Sequence, residues 1–201
     1  MTHTTDLDLR SLYGPATERA ARKEIDHIDE ICRRYIALSP FVVMSTCDRA
    51  FNLDASPRGG APGFVRVTDK GDLLLPDSPG NNRLDSLQNI AETGRIGLLF
   101  MVPGVKEILR VNGEARLSVD PAHLQACTDE RRVPKLVVHI RVESAYMHCA
   151  KALMRSQLWD ASRHVPREVL PTMSEMIQAH SGLSLAPESQ ADMERRYQPD
   201  L

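Results

Sequence analysis

Aromatic residues are scarce in this chain, 4% of its 201 residues with a single tryptophan, Trp159. That leaves little material for base-stacking platforms. Neither charge sign dominates: 25 basic and 27 acidic residues give a formal net charge of −2. No overall field therefore favours nucleic acid. No apolar run is long enough to span a bilayer, and Met1 to Asp6 carry neither the basic nor the apolar region of a signal peptide. A cytoplasmic, soluble protein without a membrane partner is the expectation. Cys32, Cys47, Cys127 and Cys149 are widely spaced with no Cys-x-x-Cys pair, so reduced thiols and no metal site are expected. His148-Cys149 is the one close pair of soft ligands, and neighbours on a strand point to opposite faces. Gly-x-Gly-x-x-Gly and P-loop motifs are also missing, which argues against a parallel nucleotide-binding sheet.

What is present is 42% hydrophobic residues, enough for one ordinary core, and a chain length suited to a single domain over 1–201. Residues 1–16 are polar and read as an N-terminal arm. From Thr17 the apolar positions Ala21, Ile25, Ile28, Cys32 and Tyr35 recur at helical spacing. The spacing predicts a helix over 17–38, with Thr17 as its cap and Ser39-Pro40 as its stop. Six strands are expected: Phe41 to Cys47, Phe64 to Thr68, Asp72 to Leu75, Arg95 to Val102, Glu107 to Val119 and Lys135 to Tyr146. Strands this close, broken by turns and short helices, read as mainly β with flanking helices, a small antiparallel barrel. Helical pattern returns from Met147 to Trp159 and from Arg167 to His180. Residues 161–201 form a C-terminal helical tail whose last twenty positions are polar.

Two segments gather arginine, hydroxyl and amide side chains on glycine-rich backbone: Asp54-Ala55-Ser56-Pro57-Arg58-Gly59-Gly60 and Pro76-Asp77-Ser78-Pro79-Gly80-Asn81-Asn82-Arg83. Both read as loops. The second runs into an amphipathic stretch, Leu84 to Glu92, so Asn81 or Asn82 is placed as its helix cap. A helix start offers unpaired N–H groups and partial positive charge, and a nearby arginine adds a fork matched to phosphate oxygens. The pair points to one phosphorylated ligand between neighbouring strands, or to two ordinary turns with solvated arginines. Arg110, mid-strand between apolar neighbours, either reaches water or meets an anion.

With these segments placed, the chain resembles the pyridoxamine 5'-phosphate oxidase-like family of FMN-binding split-barrel proteins, nearest to a group of small FMN-dependent enzymes. The resemblance runs from about Leu12 to Asp160. It is carried by Ala37-Leu38-Ser39-Pro40-Phe41-Val42-Val43, Ser56-Pro57-Arg58-Gly59 and Pro62-Gly63-Phe64-Val65-Arg66-Val67. Further blocks are Pro79-Gly80-Asn81-Asn82-Arg83-Leu84-Asp85-Ser86-Leu87, Gly97-Leu98-Leu99-Phe100-Met101-Val102-Pro103-Gly104, Leu109-Arg110-Val111-Asn112-Gly113 and His148-Cys149-Ala150-Lys151-Ala152-Leu153-Met154-Arg155-Ser156.

The resemblance implies a six-stranded antiparallel split β-barrel that pairs into a homodimer with FMN sites at the subunit interface. It places Arg83 on the arginine of a Ser-Arg-Lys phosphate clamp, with Asn82 in place of the serine and Leu84 in place of the lysine. Arg58 and Arg110 become candidates for the missing cation. Ser56 and Gly59 are candidate contacts, and Pro76, Asp77 and Ser78 match residues along the isoalloxazine ring. Cys149, with His148, and Lys151 and Arg155 fall in a segment the family brings near the flavin, Lys151 toward the N1–O2 edge. Trp159 either walls the site or packs at the dimer interface. No catalytic acid–base pair is assigned. The activity implied is hydride transfer at flavin N5 from a small substrate or reduced nicotinamide. A non-catalytic flavin carrier or sensor, or a barrel using deazaflavin or haem, are the alternatives. No segment matches the oxidases' C-terminal substrate segment, so the fold does not bring pyridoxamine phosphate with it.

Overall fold

The computed structural model describes residues 8–201; the first part of the expected N-terminal arm lies outside them. The chain is mainly β with flanking helices. Seven strands form one antiparallel sheet curled into a half-barrel: β1 (Phe41–Cys47), β2 (Leu53–Gly59), β3 (Arg66–Val67), β4 (Leu73–Pro76), β5 (Arg95–Met101), β6 (Ile108–Ser118) and β7 (Val137–His148), in the order β2-β1-β5-β6-β7-β4-β3. The seventh strand is β2, which the sequence reading took for a loop. Pro57 and Gly59 disguise it, but β2 is an edge strand, where a proline removes no hydrogen bond the ladder needs.

Alternation sets the inner face. Val42, Met44, Leu98, Phe100, Leu109 and Val111 are fully or almost fully buried there. They pack with Ile36, Leu73, Leu75 and Ile140 in one core. β6 and β7 form the longest ladder, with a bulge between Asn112 and Gly113. Gly113 is required at that bulge: a Cβ there would sit 2.2 Å from the Arg141 carbonyl oxygen.

Helices close the core. The single helix expected over 17–38 is instead α2 (Glu18–Arg22) and α3 (Glu30–Leu38), preceded by α1 (Leu9–Tyr13). Strand β4 covers β7 only from Val137 to Ile140, which leaves backbone groups of β7 unpaired farther along. Ile25 satisfies them, its N–H and C=O bonding Ala145 at 3.0 and 2.7 Å. That pairing holds residue 25 extended and breaks the helix. Thr17 caps α2, and Asp29 restarts the chain as α3 by accepting from Cys32 N at 2.8 Å. Cys32, Tyr35 and Ile36 then face the core.

Helix α4 (Asp85–Thr93) lies across the sheet and buries Leu87 and Ile90. Asn89 donates to Thr46 Oγ1 at 3.0 Å, and Thr93 donates to the Cys47 carbonyl at 3.0 Å. These bonds fix the middle and end of α4 against β1, and Ser86, in its first turn, donates to Asp54 of β2. Beyond β7 come α6 (Lys151–Ser156), a 3₁₀ turn at Arg167–Val169, α7 (Met173–Ser181) and α8 (Gln190–Tyr197), with α5 (Pro121–Ala126) joining β6 to β7. The helix expected from Arg167 to His180 begins only at Met173, where Thr172 and Glu175 form a reciprocal capping box.

Candidate functional site

Because β2 is a strand, its side chains alternate, and Asp54, Ser56 and Arg58 share its half-buried face. Arg58 stands in a cross-sheet row with Val42, Phe100 and Leu109, the inward-facing row. The second segment folds back toward that face. Asn81 Oδ1 accepts from Arg83 N at 2.9 Å, and Asn82 takes a left-handed conformation with φ 58°. Asparagine tolerates both demands: its short amide closes an Asx turn, and it enters the left-handed region at low cost. Neither asparagine caps α4, contrary to the expectation. Leu84 is the cap residue and supplies no side-chain bond, so the first N–H groups of α4 are left without a side-chain acceptor.

The two segments enclose a cavity of about 680 Å³, lined by Asp54, Ser56, Pro57, Arg58, Pro79, Gly80, Asn81, Arg83, Asp85 and Ser86, with a further wall from the C-terminal segment. Its volume falls within the range of small-molecule sites. Three of the eleven residues expected to hold a cofactor, Ser56, Arg58 and Arg83, therefore meet on one cavity. Asp77 lies just beyond it, half-buried, its N–H bonded to the Leu136 carbonyl at 3.0 Å. Burial pushes its carboxyl above the usual range, opposed by the charges of Arg58 and Lys135. Asn82 shapes the turn through its backbone. Ser78 is exposed, and Gly59 is exposed with room for a Cβ, so no close approach requires glycine there.

The two segments bring equal charge of each sign to the cavity, Arg58 and Arg83 against Asp54 and Asp85. Arg83 Nε lies 2.5 Å from Asp85 Oδ2, and Ser86 Oγ donates to Asp54 Oδ2. Arg58 makes no ion pair or side-chain hydrogen bond among the described residues, which leaves its fork available. The donor set fits a phosphate: two guanidinium groups, a serine hydroxyl and an uncapped helix start.

Four expected residues lie elsewhere in the chain. Arg110 is not on the inner face. Its row, with Leu99 and Tyr146, faces outward, and its guanidinium sits exposed 5.7 Å from the centre of the Tyr146 ring. The burial cost invoked for it does not arise. Cys149, Lys151 and Arg155 are exposed at the end of β7 and on α6, outside the lining of this cavity. Trp159 donates to the Val105 carbonyl at 2.8 Å, packing against the turn after β5.

Sequence reasoning missed Arg196, Tyr197, Asp200 and Leu201, which complete the cavity wall. The one signal was Ser189 three residues before Asp192, a helix-cap spacing in an otherwise polar tail. Among the described residues no cluster of metal-ligating side chains occurs, and no helix is long and apolar enough to cross a membrane.

Residues 28–149 match the family model for pyridoxamine 5'-phosphate oxidase. No curated protein matches the chain. Among solved structures, HupZ of Group A Streptococcus is 19% identical, over 60% of this chain and 93% of its own, with a TM-score of 0.49. An FMN-binding protein from Syntrophomonas wolfei is 14% identical over 58% of this chain and 83% of its own, TM-score 0.44. General Stress Protein 26 from Bacillus anthracis is 13% identical over 57% and 92%, TM-score 0.42.

Proposed function

The chain belongs to the pyridoxamine 5'-phosphate oxidase family, and from that premise we propose that it is an FMN-binding flavoprotein, an oxidoreductase acting on a small substrate. The observation that carries the reading is the convergence of Arg58, Ser56 and Arg83 on one cavity beside the uncapped start of α4. A compact terminal phosphate suits that donor set better than an extended anion would. Arg58 would bind it through its unengaged fork, and Arg83 would exchange Asp85 for phosphate oxygen. Asp77, which directly follows β4 and feels the charge of Arg58, would border the ring system and keep a proton more readily than an exposed carboxylate. FMN, when bound, supplies hydride acceptance and donation at its N5.

We take the working unit to be a homodimer. The outward face of β1 and β5 presents Phe41, Val43, Leu99 and Met101, half-exposed in one chain. Apolar side chains in a continuous row on a sheet face suit burial against a second copy. In such a dimer Arg110, Cys149, Lys151 and Arg155 would serve the site of the neighbouring subunit, with Lys151 supplying positive charge near reduced flavin.

The reading is tested by the absorbance spectrum of the purified protein and the mass of the chromophore it releases. Flavin bands, the mass of FMN and bleaching by reduced nicotinamide are the expected results. Flavin bands without reduction by any donor would reduce the function to flavin storage or sensing. A colourless protein that also ignores added FMN would overturn the proposal.

A further inference from the structure

The wall contributed by the C-terminal segment brings a third arginine to the cavity. Helix α8 and the turn after it place Arg196, Tyr197, Asp200 and Leu201 against the β2 and 79–83 walls. Bonds within the segment shape it, and one from Arg132 ties it to the loop before β7. Ser189 caps α8 by accepting from Asp192 N at 3.2 Å. Arg132 Nη2 donates to the Asp200 carbonyl at 2.6 Å, from a turn that Asp129 closes by accepting from Arg131 N and Arg132 N. Arg196 itself gives Nε and Nη2 to the two oxygens of Glu188, each at 2.8 Å, and its guanidinium lies 4.7 Å from the centre of the Tyr197 ring.

That geometry leaves part of Arg196 unused. A guanidinium has five N–H donors, and Glu188 takes two along one edge. Both Nη1 hydrogens and the second Nη2 hydrogen remain, and they form the end-on fork that suits two oxygens of one phosphate. Glu188 balances its charge, so what Arg196 adds to the cavity is free N–H donors rather than net positive charge. A phosphate monoester carries roughly −1.5 to −2 at neutral pH, while Arg83 is shared with Asp85 and the cavity also holds Asp54 and Asp200. Leu84 offers nothing at the next position.

We propose that Arg196 is a phosphate-binding residue of this cavity, so that the C-terminal helix recognises the phosphorylated end of the flavin. The inference rests on the FMN site proposed above. Glu188 acts as its positioning partner, holding one edge of the guanidinium so that the other faces the ligand. Occupancy of the cavity then links α8 to the barrel, and the segment from 186 to 201 becomes better protected when the phosphate is present.

The test titrates the full chain and its Arg196→Gln variant with FMN and with riboflavin, followed by flavin fluorescence, with melting temperatures as a check on folding. The expected result is a loss of FMN affinity of about tenfold or more in the variant, with riboflavin binding unchanged. Limited proteolysis should show FMN protecting the tail of the wild type and not of Arg196→Gln. Arg196→Lys, which keeps charge but loses the fork, should fall between the two. If Arg196→Gln binds FMN as the wild type does, this inference fails while the Arg58 and Arg83 site stands. Equal loss of FMN and riboflavin would make Arg196 structural and also overturn it. If the wild type binds neither flavin, the site itself is wrong.

Discussion

Arg83 Nε and Asp85 Oδ2 lie 2.5 Å apart across Leu84, the cap residue of α4, so the arginine aligned with the phosphate clamp already has an anionic partner. Asp85 also places negative charge at a helix start, where it is favourable. A bound phosphate would therefore compete with the carboxylate for one guanidinium. Asp85→Asn should strengthen FMN binding by roughly threefold to tenfold, since one competing charge is gone. It should lower the melting temperature slightly, because the helix start loses its acid. Isothermal titration with melting curves checks both; weaker FMN binding would show that Asp85 orients Arg83 rather than competing for it.

Asp77 carries a pH signature. Burial raises its folded carboxyl above the unfolded value, with Arg58 and Lys135 offsetting part of the effect. The folded state thus holds the proton more tightly, and ligand-free stability falls as pH rises from the usual carboxylate range through the raised value. Asp77→Asn removes that loss. The variant should melt higher than the wild type at neutral pH, by roughly a degree or two given the remaining solvent screening. The gap should close as pH drops below about 4. A wild type that is the more stable protein at neutral pH would mean that the attraction to Arg58 outweighs burial.

The strands β1 and β5 to β7 were legible from the sequence because one face of each must be apolar, and β4 as a run of three leucines buried on both faces. Strand β2 was not, since Asp54, Ser56 and Arg58 alternate in polarity with small residues, and Pro57 masks an edge strand as a turn. The same error hid why those three side chains point together. Arg110 was assigned to the wrong face because both faces of β6 carry partly covered residues, and only the register with Leu99 and Tyr146 separates them. Ile25 fits a helical period, yet its backbone answers an unpaired stretch of β7 that no local pattern reveals. Arg196 reaches the cavity through tertiary placement alone.

The four thiols should differ sharply in reactivity. Burial pushes Cys32 up to about 12 and Cys127 up to about 11, whereas Cys149 is exposed. At about pH 8 the thiolate fraction of Cys32 is on the order of one part in ten thousand. N-ethylmaleimide followed by peptide mapping should label Cys149 first and leave Cys32 and Cys127 unmodified until the protein unfolds. Early labelling of Cys32 would mean that α3 opens readily from the sheet.

Leu99 lies half-exposed on the outward face, between Val43 and Arg110 in the cross-sheet rows. Leu99→Asp should convert a dimer to a monomer in light scattering, with FMN affinity falling roughly tenfold as the neighbouring subunit's contacts are lost. A variant that remains dimeric would place the interface on another face.

Arg58, the cavity arginine without an ion-pair partner among the described residues, is the residue proposed to grip the FMN phosphate. The most direct test compares FMN binding by the wild type and by Arg58→Ala, with riboflavin as the phosphate-free control. FMN affinity should drop at least tenfold, with riboflavin binding little changed. Undiminished FMN binding by Arg58→Ala would contradict it.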